Sequence, residues 1–380
     1  MQLLIADDYR AAARRHLPKG LFEYIDRGTE AELAMSDIRR SLDNIRFRPS
    51  VLTGHAGSNM TTSLFDRTYC SPLIIAPTAL AGLVSHDGET KLARVASKLG
   101  IPFCVSTQSV TSIDDIRKGA PEAELWLQLY VWRNRDLTWG LLDRAQKAGV
   151  STLVITADTP LSPKRDYNQR NGFSVPFVPS LRGVWDVATC PKWLCSVMLR
   201  YLMTSGMPTY AHYPAEFKTA ITRAAIAEGV KIESAISWAD IAEIQKRWSG
   251  RIIIKGVLSV DDAIRARDMG IDGIVVSAHG GRNLDVALAP ADVLPEIVDA
   301  VGAEMLVMAD SGIRRGSDAL KYLALGSRAV MVGRLPLYGL AAGGEQGALD
   351  ILTMLIDEMH SNLVFAGAKD IDALRTAGIA

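Results

Sequence analysis

The stretch RIIIKGVLSVDDAIRARDMGIDGIVVSAHGGRNLD, residues 251–285, contains one complete strand-helix-strand unit, and the rest of the chain is read from it. Its runs IIIKG (252–256) and GIVVS (273–277) are short and almost continuously apolar, as strands covered on both faces are. Between them SVDDAIRARDMG has helical periodicity and closes on a glycine. Strands joined through a helix run parallel, which is the building unit of barrels and doubly wound sheets. The second strand then delivers His279, Gly280, Gly281 and Arg282 in successive positions, so a base and a cation share one loop. The two glycines allow that backbone to lie close against a flat ligand. Taken alone, a histidine after a strand is more often a hydrogen-bonded structural residue than a catalytic one.

Outward from this unit the same rhythm recurs in both directions. Toward the N-terminus lie LIIAP (73–77), FCVS (103–106), LWLQL (125–129) and TLVIT (152–156); toward the C-terminus lie MLVMA (305–309) and AVMVG (329–333). Amphipathic segments such as GETKLARVASKLG, TWGLLDRAQKAG and GSDALKYLALG separate them. Eight strands in this alternation predict an α/β fold, a (β/α)8 TIM barrel, with residues 1–380 forming a single domain. One interval is out of scale: about 95 residues separate Thr156 from Ile252, against about 15 to 30 elsewhere, so about 157–250 holds a long insertion after the fourth strand. Helices are expected ahead of the barrel, from Ala6 to about Arg27. Pro18 opens the second of these, which carries Tyr24, either a packed aromatic or a site residue. The tail from Ala341 reads as a helix followed by a short second one.

Composition narrows the partners. Lys plus Arg balances Asp plus Glu, 42 against 42, with no long run of either sign, which gives a nucleic-acid partner no electrostatic support. Cys70, Cys104, Cys190 and Cys195 make no CxxC pair or metal spacing and there are six histidines, so no metal is expected. MQLLIADDYR does not read as a secretory signal, and no run approaches the roughly 20 apolar residues of a membrane span. A cytoplasmic protein with a small-molecule partner is the expectation. Within the insertion, WDVATCPKWLCSVMLRYLM aligns Lys192, Ser196 and Arg200 on one stripe and places Trp193, Leu194, Val197, Met198, Tyr201 and Leu202 around the rest. Such a helix, at about 187–203, serves either as a lid or subunit contact, or as an element lying in a membrane interface.

Barrel enzymes carry their chemistry where the strands end. Here those ends supply Pro77, Thr78 and Ala79; Ser106; Gln128 and Tyr130; Thr156 and Asp158; Lys255; Ser277, His279 and Arg282; Asp310, Ser311, Gly312, Ile313 and Arg314; and Gly333 and Arg334. Glycine followed closely by arginine after the last two strands suits a phosphate. A phosphate-bearing flavin would use Ser106, Gln128 and Thr156 as hydrogen-bonding partners, Ala79 as a small neighbour, and Lys255 as a cation for its reduced form. The alternative for Lys255 is an ion pair with a carboxylate.

These residues resemble the FMN-dependent (S)-2-hydroxy acid oxidising enzymes, a family that includes glycolate oxidase, flavocytochrome b2, lactate oxidase and mandelate dehydrogenase. SAHGGRNLD is similar to the family signature SNHGGRQLD. YIDRGTEAE, APTAL, QLYV, TADTP with Arg165, IIIKG, ADSGIRRG and VGRLPLYGLA follow in the family's order over nearly the whole chain. The resemblance implies that His279 is the base and Asp158 its charge partner. It implies that Arg165 and Arg282 clamp the substrate carboxylate with help from Tyr24, that Tyr130 meets the substrate oxygen, and that Lys255 stabilises reduced FMN. Pro77, Thr78, Ala79, Ser106, Gln128, Thr156 and Ser277 would line the isoalloxazine and ribityl chain. Asp310 through Arg314, with Gly333 and Arg334, would hold the ribityl hydroxyls and phosphate.

The implied reaction takes a 2-hydroxy acid to the 2-oxo acid, by hydride transfer or through a carbanion. Ala278 and Asn283 depart from the signature's Asn and Gln. LPKGLFEYIDRG and the apolar insertion look closest to the bacterial mandelate and lactate dehydrogenases, which implies electron transfer to a membrane or quinone acceptor, peripheral attachment at the inner membrane face and a homotetramer. A soluble oxidase forming hydrogen peroxide, and a repurposed or non-catalytic flavin-binding barrel, are the alternatives. A cytochrome-fused arrangement is not expected.

Overall fold

The computed structural model describes residues 2–54, 57–173, 181–214 and 228–377. A hairpin of β1 (Thr62–Leu64) and β2 (Arg67–Tyr69) precedes the barrel strands β3 (Leu73–Ile75), β4 (Phe103–Ser106), β5 (Leu125–Leu129), β6 (Thr152–Thr156), β7 (Arg251–Val257), β8 (Gly273–Val276), β9 (Leu306–Asp310) and β10 (Ala329–Val332). The barrel is closed in the order β10-β3-β4-β5-β6-β7-β8-β9, and every ladder in it is parallel. This is the (β/α)8 TIM barrel that the strand-helix alternation predicts.

Period two divides each strand between two cores. Ile74, Cys104, Trp126, Val154, Ile253, Val275, Met308 and Met331 turn inward and fill the barrel, together with Leu64 and Tyr69 from the hairpin. Their neighbours, among them Ile75, Val105, Leu127, Ile155, Ile254, Ile274 and Val332, turn outward into the layer shared with the helices. Each large side chain so buried contributes about 1.5–3 kcal/mol. Because both strand faces are buried, the sequence shows solid apolar runs rather than alternation.

Three helices precede the barrel: Ala6–His16, Lys19–Asp26 and Leu33–Asn44. The third was not expected, since only Ala34, Ile38 and Leu42 of its twelve residues are buried, too sparse a pattern to stand out. It matters for the site, because Asp285 of the β8 loop accepts from Ala31 N (3.0 Å) and Ala34 N (3.2 Å) at its start. The tail helix begins at Arg334 rather than near Ala341 and runs to Ala366, interrupted where Gly343 and Gly344 leave helical geometry.

Part of the insertion, residues 174–180 and 215–227, lies outside the described residues. The remainder includes Leu181–Ala188 and a helical run from Pro191 to Thr204 whose middle, Leu194–Leu199, is a π-helical turn. Trp193, Val197 and Tyr201 face inward, and Trp193 Nε1 donates to Leu83 O at 2.7 Å. Lys192, Ser196 and Arg200 are exposed. Leu202 is not part of the packed face; with Leu199 and Met203 it is exposed. The helix therefore docks through one aromatic stripe and presents a separate apolar surface outward.

Candidate active site

The strand-end residues named above, Asp158 and Ser277 apart, line one cavity of 1770 Å3, well beyond the roughly 300–1,000 Å3 of a common small-molecule pocket. Thirteen lysines and arginines line it against six aspartates and glutamates, a cationic excess in a chain of zero net charge. An anionic ligand is what such a wall favours.

His279 leaves β8 with φ 53°, a left-handed conformation that costs a non-glycine residue energy and persists only where neighbours hold it. The holders are identifiable. Ser277 Oγ accepts from His279 N at 3.0 Å, and Ser311 Oγ accepts from Gly280 N at 3.0 Å. On the ring, His279 Nδ1 lies 2.9 Å from Asp158 Oδ1. Burial works to raise the Asp158 carboxyl, but the charge and hydrogen bond of His279, with Lys255 nearby, prevail and hold its pKa below the usual value. Gly256, at φ 101°, makes room for this pair, because a Cβ there would come within 2.5 Å of the Asp158 side chain. Ala278, where the family signature has Asn, packs against Ile38 and Ala289, so the loop takes its support from Ser277 and Ser311 and not from that position.

Lys255 is 5% exposed and its Nζ lies 2.7 Å from Asp310 Oδ2 and 2.6 Å from Ser277 Oγ. Burial alone would lower its pKa, yet Asp310 and Asp158 outweigh that and raise it, so the side chain is a fixed cation. Asp310 lines the cavity and is also the counter-charge of Lys255, which a buried ammonium requires. One expectation is corrected here, that for Ser277. Ser277, fully buried, does not line the cavity; its hydroxyl joins Lys255 to the backbone of His279.

Arg165 and Arg282 flank the Tyr24 ring, their guanidinium carbons 5.1 and 5.2 Å from its centroid. Neither has a carboxylate partner among the described residues. Burial, and then the charge of Arg165, depress Arg282 to about 10. Two close guanidiniums without an anion between them form a receptor for one. Arg282 Nη1 also donates to Tyr24 O (2.7 Å) and Arg27 O (2.9 Å), which ties the helix carrying Tyr24 to the β8 loop. Burial raises the Tyr130 hydroxyl, keeping it a proton donor at neutral pH. Sequence reasoning missed Asn283 as a positioning group: its Nδ2 donates to Asp158 O and Thr159 Oγ1, each at 2.8 Å. It also missed Arg39, whose Nη1 donates to Gly312 O at 2.9 Å. Only the adjacency of Asn283 to Arg282 hinted at the first, and nothing local hinted at the second.

The residues present fit a flavin nucleotide. Pro77, Thr78, Ala79, Ser106, Gln128 and Thr156 line one part of the cavity. Gln128 Oε1 accepts from Ser106 Oγ and Thr107 N, both 3.2 Å, while its buried Nε2 has no partner among the described residues and suits a ligand carbonyl. Ser311, Gly312, Ile313, Arg314, Gly333 and Arg334 also line it, with Gly333 capping the start of the helix from Arg334, where free N–H groups suit a phosphate. The Arg314 backbone N–H is taken by Asp318 Oδ2 at 3.0 Å, which leaves its side chain as the available group.

Fold and site together define a barrel oxidoreductase built around a flavin nucleotide. The chain belongs to the FMN-dependent dehydrogenase family, whose model matches residues 13–380, and its cofactor is FMN. It is 40% identical over 376 residues to the L-lactate dehydrogenase of Pseudomonas entomophila (strain L48), covering 98% of this chain and 97% of that one. Among solved structures, the monotopic membrane protein (S)-mandelate dehydrogenase superposes with a TM-score of 0.93 at 34% identity, with 100% of both chains covered. A mandelate oxidase variant with (S)-mandelic acid gives a TM-score of 0.84 at 30% identity, over 100% of this chain and 99% of that one.

Proposed function

We propose that this enzyme oxidises an (S)-2-hydroxy acid to the 2-oxo acid and passes the electrons to an acceptor at a membrane. The observation that carries the reading is the pairing of His279 with Asp158 at a cavity that also holds two guanidiniums without carboxylate partners and a buried, charge-fixed lysine. Bound FMN supplies the acceptor for the two electrons leaving the substrate carbon. Arg165 and Arg282 bind the carboxylate and so fix the acid's orientation. His279 takes one proton from the substrate through Nε2, and Asp158 stabilises the resulting imidazolium and holds the ring. Tyr130 donates to the substrate oxygen. Lys255 provides positive charge where electron density accumulates, its own charge being held by Asp310.

An anaerobic absorbance titration with (S)-mandelate and (S)-lactate tests this. Bleaching of the bound flavin by at least one acid is expected, with slow recolouring when air is admitted. Rapid recolouring would make the protein an oxygen-reducing oxidase, and failure of every 2-hydroxy acid tried to bleach the flavin would refute the reaction.

Among the described residues no helix is long and apolar enough to cross a membrane. Membrane contact in this proposal is peripheral, through the insertion, where Val184, Trp185, Leu199, Leu202, Met203 and Met207 are exposed beside Lys192 and Arg200. Because Trp193 and Tyr201 of the same helix are structural anchors, deleting it would damage the fold. The informative variant is Trp185→Ser with Leu202→Ser and Met203→Ser. It is expected to shift the protein from pelleted anionic vesicles to the supernatant while dye reduction by the acid persists; undiminished vesicle binding would remove the insertion from this role. Assembly as a homotetramer belongs to the same proposal, and a monomer's mass in light scattering would contradict it.

A further inference from the structure

The long insertion contributes a second feature, the segment Tyr210-Ala211-His212-Tyr213, which returns to the cavity wall. It is held rigidly. Ala211 N donates to Ser109 O at 2.9 Å, and His212, 1% exposed, accepts from Ile113 N through Nε2 at 3.0 Å while its Nδ1 faces Thr107 O at 3.3 Å. Burial pushes His212 down to about 4, so it remains the neutral bridge these contacts need. The Tyr210 and Tyr213 rings pack 5.0 Å apart, and Tyr213 meets Trp132 edge-on at 5.3 Å.

The two tyrosines differ in one respect. The Tyr213 hydroxyl has Gln108 as a hydrogen-bond partner. Tyr210 is 4% exposed and lines the cavity, yet its buried hydroxyl has no partner among the described residues. An orphaned hydroxyl on a pinned segment is a costly feature unless something enters to satisfy it. Its location says which part of a ligand that is. The segment carrying Tyr210 stands against the β4 loop through Ala211 and Ser109 and against the β5 loop through Tyr213 and Trp132, whereas Arg282 follows β8, four strands from β4 around the eight-stranded barrel. A substrate held by its carboxylate at Arg282 therefore extends its side chain toward Tyr210. The cavity lining also includes Val230, Ile232 and Gln108. The cations Arg133 and Lys231 share the carboxylate of Glu228, which holds both side chains in place.

From this geometry we infer that Tyr210 is a specificity-determining residue, and that the substrate is an aryl 2-hydroxy acid bearing an uncharged oxygen on its ring, hydrogen-bonded to the Tyr210 hydroxyl. This rests on the 2-hydroxy acid reading above and names its substrate class. A site that presents a buried hydroxyl discriminates strongly against ligands that leave it unpaired.

The test compares (S)-mandelate, (S)-lactate and the 3- and 4-hydroxymandelates as reductants of the FMN-loaded enzyme, and measures calorimetric binding of benzoylformate and its hydroxylated counterparts. At least one hydroxymandelate is expected to exceed mandelate about tenfold in kcat/KM, with its 2-oxo acid binding tighter by a similar factor. Tyr210→Phe, which retains the ring packing, should bring both ratios close to one, and Tyr213→Phe should leave them near the wild-type values. A ratio of one in the wild type, a ratio that survives Tyr210→Phe, or lactate as the best substrate would overturn the assignment while leaving 2-hydroxy acid oxidation standing. If no acid in the series reduced the flavin, the reaction itself would fall and this assignment with it.

Discussion

Replacing His279 with glutamine is expected to lower the rate of flavin reduction by about two to four orders of magnitude, the usual worth of a positioned general base. FMN should remain bound with a normal visible spectrum, since the ring faces Asp158 and the cavity rather than the part of the wall formed by Gln128 and Gly333. Glutamine retains a polar group of similar reach toward Asp158 Oδ1 and cannot take a proton at neutral pH. Stopped-flow reduction under anaerobic conditions reads the effect directly. A decrease smaller than tenfold would assign proton removal elsewhere and leave His279 as a structural residue in a strained loop. Asp158→Asn should be intermediate: the ring stays held, but the imidazolium loses its counter-charge.

Arg165→Met gives the second large effect. A charge-assisted contact to a carboxylate contributes about 1.5–3 kcal/mol, so kcat/KM should fall roughly ten- to two-hundred-fold, mainly through weaker binding. Arg165 is the cleaner probe of the pair, because Arg282 also holds the carbonyls of Tyr24, Ile25 and Arg27, and its removal would release the helix as well as the anion. Oxalate, an unreactive dianion, separates the causes: its affinity, read from the flavin spectrum, should weaken in step with KM. Unchanged oxalate binding in Arg165→Met would mean that Arg282 alone receives the carboxylate. Arg282→Lys retains charge but not the fork of donors, and is expected to lose affinity as well.

Much of this site was legible because a parallel barrel places chemically unrelated loops at one end. Once the eight runs were recognised, the residues following each became neighbours, and His279, Asp158, Lys255 and Arg282 converged without any further pattern. Boundaries shifted by only one or two residues, as with Leu73–Ile75 within the expected 73–77 and Arg251–Val257 around 252–256. The hairpin of β1 and β2 escaped notice because three-residue strands carry no usable period. The helix Leu33–Asn44 escaped because its stability comes from tertiary contacts, including Asp285 at its start and Arg39 bound to Asp318.

Sequence by itself determined the barrel, the end of it that carries chemistry, the family, and the types of group available there, because apolar period and strand count depend on short stretches that can be read one at a time. Tertiary structure alone decided how those groups share their charges and hydrogen bonds. Asp310 reads as a lone carboxylate until the fold sets it 2.7 Å from Lys255, and Ser277 could have faced the cavity until it was needed between Lys255 and His279. Likewise Tyr210 and Tyr213 look equivalent in YAHY, and only packing gives one hydroxyl a partner and leaves the other without. The reason is physical: burial assigns each polar group one set of neighbours drawn from distant parts of the chain, and local sequence holds no record of which partner is taken first.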